Sequence, residues 1–139
     1  MKDFNSHVRI DKDVFDEMVR HARRQLPDEA CGYLLGDASG NITAQYPMTN
    51  ADHSPEHFSF VPREQFEALR FARKESLHIV ANWHSHPASP SRPSDEDIRL
   101  AYDPGILYLI LSLAGDDPVL NAFRIKDGKA EKIELQIVS

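Results

Sequence analysis

The sequence predicts a single α/β domain spanning residues 1–139, with a mixed β-sheet flanked by helices. Three observations carry this. The length suits one domain and falls far short of the roughly 250 residues of a (β/α)₈ barrel. Segments of alternating or continuous apolar character are interleaved with two segments of helical period. No internal repeat, low-complexity segment or interdomain linker separates them. Composition, 41% hydrophobic and 27% charged, is that of a globular chain rather than a disordered one.

Taken in order, Val8 and Ile10 alternate with polar neighbours and give a first short strand. Asp11 stands at an N-cap position, with Ile10 and Phe15 spaced for a hydrophobic staple. From Asp13 to Arg24, Val14, Phe15, Met18, Val19 and Ala22 recur on one helical face. Basic residues favour the last turn, and Pro27 stops the helix. Glu29–Gly36 reads as a buried strand, Asp37–Asn41 as turn chemistry, and Ile42–Met48 as the returning strand of a hairpin. A polar loop over 49–56 leads to a short strand at Phe58–Val61. Pro62 suits a first helical position, opening a helix to about Lys74 with Phe66, Leu69 and Ala72 or Arg73 along its buried stripe. Leu77–Trp83 is the next strand. Ser94 caps a short helix, Asp95–Ala101, which Asp103-Pro104-Gly105 breaks. Ile106–Leu113, continuously apolar, is a central strand. Val119–Ile125, the hairpin dipeptide Asp127-Gly128 and a last alternating strand through Ile133, Leu135 and Ile137 complete an eight-strand order.

Bulk properties exclude several function classes. Net charge is −6, from 16 basic and 22 acidic residues, so no cationic excess exists to neutralise a nucleic acid's phosphates. Arg20, Arg23 and Arg24 read as a solvated helix end. Cys31 is the only cysteine, which excludes a disulfide scaffold. No segment approaches the ~20 apolar residues of a membrane span, and Met1–Asn5 lacks the apolar core of a signal peptide. The expectation is a cytoplasmic protein with no membrane and no nucleic-acid partner.

The chemistry concentrates between Trp83 and Asp97. His84 and His86 share a strand face, with Cα atoms roughly 6.6 Å apart at ~3.3 Å per residue. Pro87 ends the strand, and Pro90 and Pro93 stiffen the loop that follows. Asp97 projects from the first turn of the next helix. Two imidazole nitrogens and a carboxylate oxygen suit one zinc ion per chain with a fourth position open, the pattern of a catalytic site. Among the many acidic residues, Glu29 is the best candidate for a proton carrier, because it sits in an apolar, Gly-bearing segment where a charge is costly. Its plain alternative is a strand-edge carboxylate. Ser94 has the plain alternative of an N-cap, and Cys31 that of a small buried hydrophobe. His53 and His57 are candidates for lining a substrate path, and His7, His21 and His78 read as surface or core residues.

Glu29, then His84-Ser85-His86-Pro87, six residues, Ser94, two residues and Asp97 resemble the JAMM (MPN+) metalloprotease signature at every position. Asp28–Gly36 resembles the Glu-bearing strand of that family. Asn50, Ser54-Pro55 and Phe58 resemble a segment of its small bacterial members. The resemblance covers roughly residues 7–125. It implies a cytidine-deaminase-like fold, with zinc on His84, His86 and Asp97, Glu29 as base and then acid, and Ser94 facing the oxyanion. It further implies hydrolysis of a peptide or isopeptide bond after the C-terminal Gly-Gly of a ubiquitin-fold or sulfur-carrier protein. Rival readings are a JAMM-like module that binds such a partner without cleaving it, an amidohydrolase and a nucleobase deaminase. An amidohydrolase needs a barrel of about twice this length. A deaminase needs a Cys-x-x-Cys ligand pair that one cysteine cannot supply.

Overall fold

The computed structural model describes residues 7–139, so the Met1–Asn5 stretch lies outside it. Alternation buries Val8 and Ile10 in β1 (His7–Asp11). In α1 (Lys12–Gln25) the apolar stripe buries Val14, Met18, Val19 and Ala22, with Phe15 packed partly buried beside them. Asp11 holds the N-cap position in extended geometry, but its side chain makes no capping bond. The carboxylate of Asp16, bonded to Lys12 at 3.0 Å, braces the first turn on its exposed side instead.

The expected hairpin forms from β2 (Cys31–Gly36) and β3 (Ile42–Met48), paired antiparallel. Glu29 and Ala30 lie just ahead of β2 rather than within it. At Gly36 a Cβ would fall 2.0 Å from the Asn41 carbonyl oxygen, so the hairpin closes only with glycine there. Phe58–Val61 is not a strand: Phe60 forms a single bridge with Asn50 inside a long loop. The physical reason is that this segment's polar groups go to side chains and turns, leaving no ladder to join.

α2 (Pro62–Lys74) has proline at its first turn, as the sequence suggests. Its buried stripe is different from the expected one. Ala68 and Ala72 are buried, whereas Phe66 and Leu69 are 60% and 53% exposed and Arg73 is exposed. Small side chains let the helix lie close to the sheet, and its larger apolar residues are turned outward. The remaining elements are β4 (His78–His86), α3 (Asp95–Arg99), β5 (Leu107–Ser112), β6 (Val119–Lys126) and β7 (Lys129–Val138). Asp127 and Gly128 both have left-handed φ, 54° and 75°, the geometry a two-residue turn between twisted strands requires.

The strand order is β1-β3-β2-β4-β5-β6-β7, and β1 also pairs with β7, closing a barrel among the described residues. The sheet is mixed: β1 runs parallel to β3 and β7, β4 runs parallel to β5, and the other pairs are antiparallel. The main core joins the inner face of α1 to Val80, Trp83, Leu107, Leu109, Leu111 and neighbours. A second cluster, around Tyr108, Ile110, Phe123 and Ile125, lies on the other side of β5 and β6. No helix among the described residues is long and apolar enough to cross a membrane.

Candidate metal and catalytic site

β4 lies between β2 and β5, so both its edges are hydrogen-bonded. The pleat sends Asn82, His84 and His86 to one face. The Nε2 atoms of His84 and His86 come within 3.2 Å of one another, and each lies 3.2 Å from Asp97 Oδ2. These three donors form a compact group, largely shielded from solvent. A zinc–nitrogen bond of ~2.0–2.1 Å places tetrahedral ligands about 3.3 Å apart. The triangle therefore has the edge length of a zinc site, and imidazole nitrogens and a carboxylate oxygen are the right chemical types.

Several contacts hold the donors in place. His86 Nδ1 donates to the Pro90 carbonyl oxygen at 2.8 Å, which leaves the Nε2 lone pair directed at the group. Phe58 stacks on the His84 ring at 4.7 Å and 22°. Ser94 and Asp97 form a capping box: the Asp97 N–H donates to Ser94 Oγ, and the Ser94 N–H donates to Asp97 Oδ2. The loop between His86 and Ser94 is pinned by hydroxyls as well as prolines. Ser91 Oγ donates to the Ile110 carbonyl at 2.6 Å, Ser112 Oγ to the Ser89 carbonyl at 2.6 Å, and Asn121 Nδ2 to the Ser91 carbonyl at 3.0 Å.

Burial pushes the His84 imidazole below its ordinary value, against the pull of Asp97, and so favours the neutral form that binds metal. Burial also acts downward on His86, but its hydrogen bonds to Asp97 and the Pro90 carbonyl outweigh it, and the net shift is upward. Asp97 is held well below the usual carboxylate range: burial opposes this, and the hydrogen bonds from His84, His86 and Ser94 overcome it. Glu29 moves the other way. Burial first, then the charges of Asp97, Glu96 and Glu56, raise it to about 8 against the opposing charge of His86. Its side chain is buried and Oε1 has no hydrogen-bond partner.

Glu29 is fixed through its backbone. Its N–H donates to the Ser54 carbonyl at 2.9 Å, and its carbonyl accepts from Asn50 Nδ2 at 3.1 Å. One residue on, Ser85 grips Ala30: Ser85 Oγ accepts from the Ala30 N–H at 2.8 Å, and the Ser85 N–H donates to the Ala30 carbonyl at 2.9 Å. The residue between the two histidines thus ties their strand to the Glu29 segment. A groove of about 540 Å³ opens beside His84 and Asp97, walled by Tyr33, Phe58, Phe60, Tyr108 and Ile110. Glu96, Asp97 and Asp103 are its charged lining residues, and Tyr102 stands on its rim, 81% exposed.

The remaining candidates separate clearly. Cys31 is fully buried, its thiol pushed by burial up to about 12, and it lies outside the donor group. His57 Nδ1 pairs with Glu96 at the groove side, and the hydrogen bond to that carboxylate raises its pKa. His53 is an exposed turn residue with φ of 47°. His21 is buried with its ring edge-on to Trp83, and His78 is exposed at the start of β4. Sequence reasoning missed Ser85, Ser91, Ser112 and Asn121. Of these only Ser85 carries a signal in the chain, its fixed place between the histidines.

The chain has relatives in sequence and in fold. A relative from Mycobacterium tuberculosis, named CysO-cysteine peptidase, is 36% identical over 133 residues, covering 93% of this chain and 90% of the relative. Desampylase of Pyrococcus furiosus is 32% identical over 88 residues, 63% of this chain and 62% of its own. A solved structure of a Desulfitobacterium hafniense protein superposes with a TM-score of 0.85 at 46% identity, covering 94% and 92% of the two chains. A JAB1/MPN domain protein from Archaeoglobus fulgidus shares the fold, with a TM-score of 0.66 at 20% identity over 94% of this chain and 99% of its own. The family model of prokaryotic homologues of the JAB domain matches residues 11–126, and the chain belongs to that family.

Proposed function

We propose that the chain is a zinc-dependent hydrolase that cleaves a peptide or isopeptide bond after the C-terminal Gly-Gly of a ubiquitin-fold or sulfur-carrier protein. The observation that carries this is the meeting of His84 Nε2, His86 Nε2 and Asp97 Oδ2 at metal-ligand spacing, within electrostatic reach of the buried Glu29 carboxyl. The names of the relatives support the substrate class: a CysO-cysteine peptidase, a desampylase and, from Thermus thermophilus, a probable TtuB-protein conjugate cleaving protease.

His84, His86 and Asp97 would hold the zinc, which when bound supplies Lewis acidity and lowers the pKa of a water from 15.7 towards ~7. Glu29 does the proton transfer. Burial raises the proton affinity of its carboxyl, which suits a group that takes a proton and later gives it up. Glu29 Oε1 has no competing partner, so it is free to accept the proton of the attacking water and pass it to the departing nitrogen. Ser94 Oγ uses a lone pair to accept the Asp97 N–H, which leaves its own proton for the oxygen that gains charge as the carbonyl is attacked. The aromatic and aliphatic walls of the groove hold the chain that carries the scissile carbonyl and exclude water from it.

The test is mass spectrometry of a ubiquitin-fold protein extended beyond its Gly-Gly, incubated with the purified chain. Cleavage after Gly-Gly that stops with chelator and returns with zinc is the expected result. Binding of that protein with no cleavage at full zinc loading would instead establish the non-catalytic reading.

A further inference from the structure

Glu29 sits outside β2, so no strand ladder bonds its own peptide groups. Its N–H and its carbonyl are both taken by the 50–59 loop, through the Ser54 carbonyl and Asn50 Nδ2. That loop has no ladder of its own beyond the Asn50–Phe60 bridge. Asn50 supplies what the ladder would have supplied. Its carboxamide, 4% exposed, donates to the carbonyls of Glu29 (3.1 Å), Ser54 (3.3 Å) and His57 (2.8 Å). Its Oδ1 accepts from the N–H groups of Asp52 (3.0 Å) and Ser59 (3.4 Å). One side chain therefore closes the loop on itself and clamps it to the Glu29 peptide. The same loop places Phe58 on the His84 ring and His57 against Glu96.

From these contacts we infer that Asn50 is a positioning residue: it holds Glu29 in place by fixing the Glu29 peptide to the 50–59 loop. Catalytic function for Asn50 is thereby indirect, and rests on the reading of Glu29 as proton carrier. The three carbonyl oxygens around Nδ2 make the test sharp. Asn50→Asp keeps the shape and the acceptor but turns three attractions into repulsions. Asn50→Ser removes the contacts without adding charge. Asp52→Ala is the control, since it deletes the bond from Ser59 Oγ at the loop surface and leaves every hold on Glu29 intact.

Two readouts separate the inference from the function it rests on. Hydrogen exchange at the Glu29 amide, followed by NMR on the folded protein, reports the clamp without any substrate. It should accelerate at least roughly tenfold in both Asn50 variants, with Leu109 in β5 unchanged, because exchange of a locally opened amide follows local stability. Turnover at full zinc loading should fall roughly 10- to 100-fold in kcat with KM nearly constant, the scale expected when a reacting group is displaced by about an ångström. Asp52→Ala should stay within about twofold, as its contact is solvent-exposed. Unchanged Glu29 exchange, lost zinc stoichiometry in the Asn50 variants, or an equal kcat loss in Asp52→Ala would overturn the inference. If the wild type cleaves no Gly-Gly extension, the functional reading fails, and the exchange result alone decides whether Asn50 holds Glu29.

Discussion

Among single residues, Glu29 is a carboxyl that burial pushes strongly upward. Its ordinary pKa of 4.5 rises to about 8 on folding, chiefly through burial. Between those two pH values the folded metal-free protein keeps a proton that the unfolded chain has released. Stability of the metal-free form therefore falls as pH rises through the window, and the penalty is complete above about pH 8. Glu29→Gln removes the titration while keeping the volume. We expect this variant to be more stable than wild type at pH 9 by about 2–4 kcal/mol and no more stable at pH 4, read from urea midpoints of the metal-free proteins. The same substitution should lower kcat by about 10²–10⁴-fold with zinc content unchanged, the usual contribution of a positioned base. A Gln variant that turns over normally would remove Glu29 from the mechanism. The sequence points to this residue by cost, as a carboxylate in an apolar segment, and by its place in the JAMM-like signature. Burial is the dominant influence on its carboxyl, but the partners that hold its backbone, Asn50 and Ser54, are not local in sequence and leave no periodic trace.

At the level of elements, the site is two segments joined by Ser85. β4 presents the histidines on one face, and from the other Ser85 takes both polar backbone groups of Ala30. Ser85→Ala leaves the buried Ala30 N–H without an acceptor, and such an orphan costs ~1–3 kcal/mol. We expect a urea midpoint lowered by that amount, an unchanged m-value and retained zinc, since the histidine Nε2 atoms are held from α3 and the 87–93 loop. A variant as stable as wild type would show that this tie carries no load. What the chain disclosed at this scale depends on how each element is buried. α1 was legible because one broad apolar stripe meets one core. α2 was not, because it approaches the sheet through Ala68 and Ala72 and leaves Phe66 and Leu69 outside, so the bulkiest apolar residues mark the wrong face. The loop after His86 was read as stiffened by prolines. The hydroxyl bonds from Ser91 and Ser112 that also anchor it have no spacing rule to betray them.

For the whole molecule, the closed sheet supplies two of the three donors, His84 and His86 on β4, and α3 brings the third, Asp97. Closure depends on β1, which meets β7 over five register pairs and β3 at one, and a contact between the two ends of the chain leaves no local pattern in the sequence. The main core draws on β1, α1 and the inner faces of the strands, and His84 and His86 lie on the opposite face of β4 from Ala81 and Trp83, which belong to it. α3, by contrast, has five residues and buries none of them. A helix that short has no stability of its own in water. It is fixed by its capping box, by the contact of Asp97 with the two histidines, by the pairing of Glu96 with His57 and by Ile98 against the second cluster. Metal removal should therefore act locally. Chelation should abolish turnover and leave the far-ultraviolet dichroism and the slow amides of β4 and β5 in place, while amides of 94–99 exchange faster. Zinc at a hundredfold excess over Kd should add back about 2.7 kcal/mol to unfolding, seen as a rise in Tm. His84→Ala should mimic the chelated state, folded but without stoichiometric zinc by elemental analysis. Global unfolding on chelation would give the opposite assignment, a metal that holds the fold together, because the main core packs through Trp83, Leu109 and Leu111 without the donor side chains.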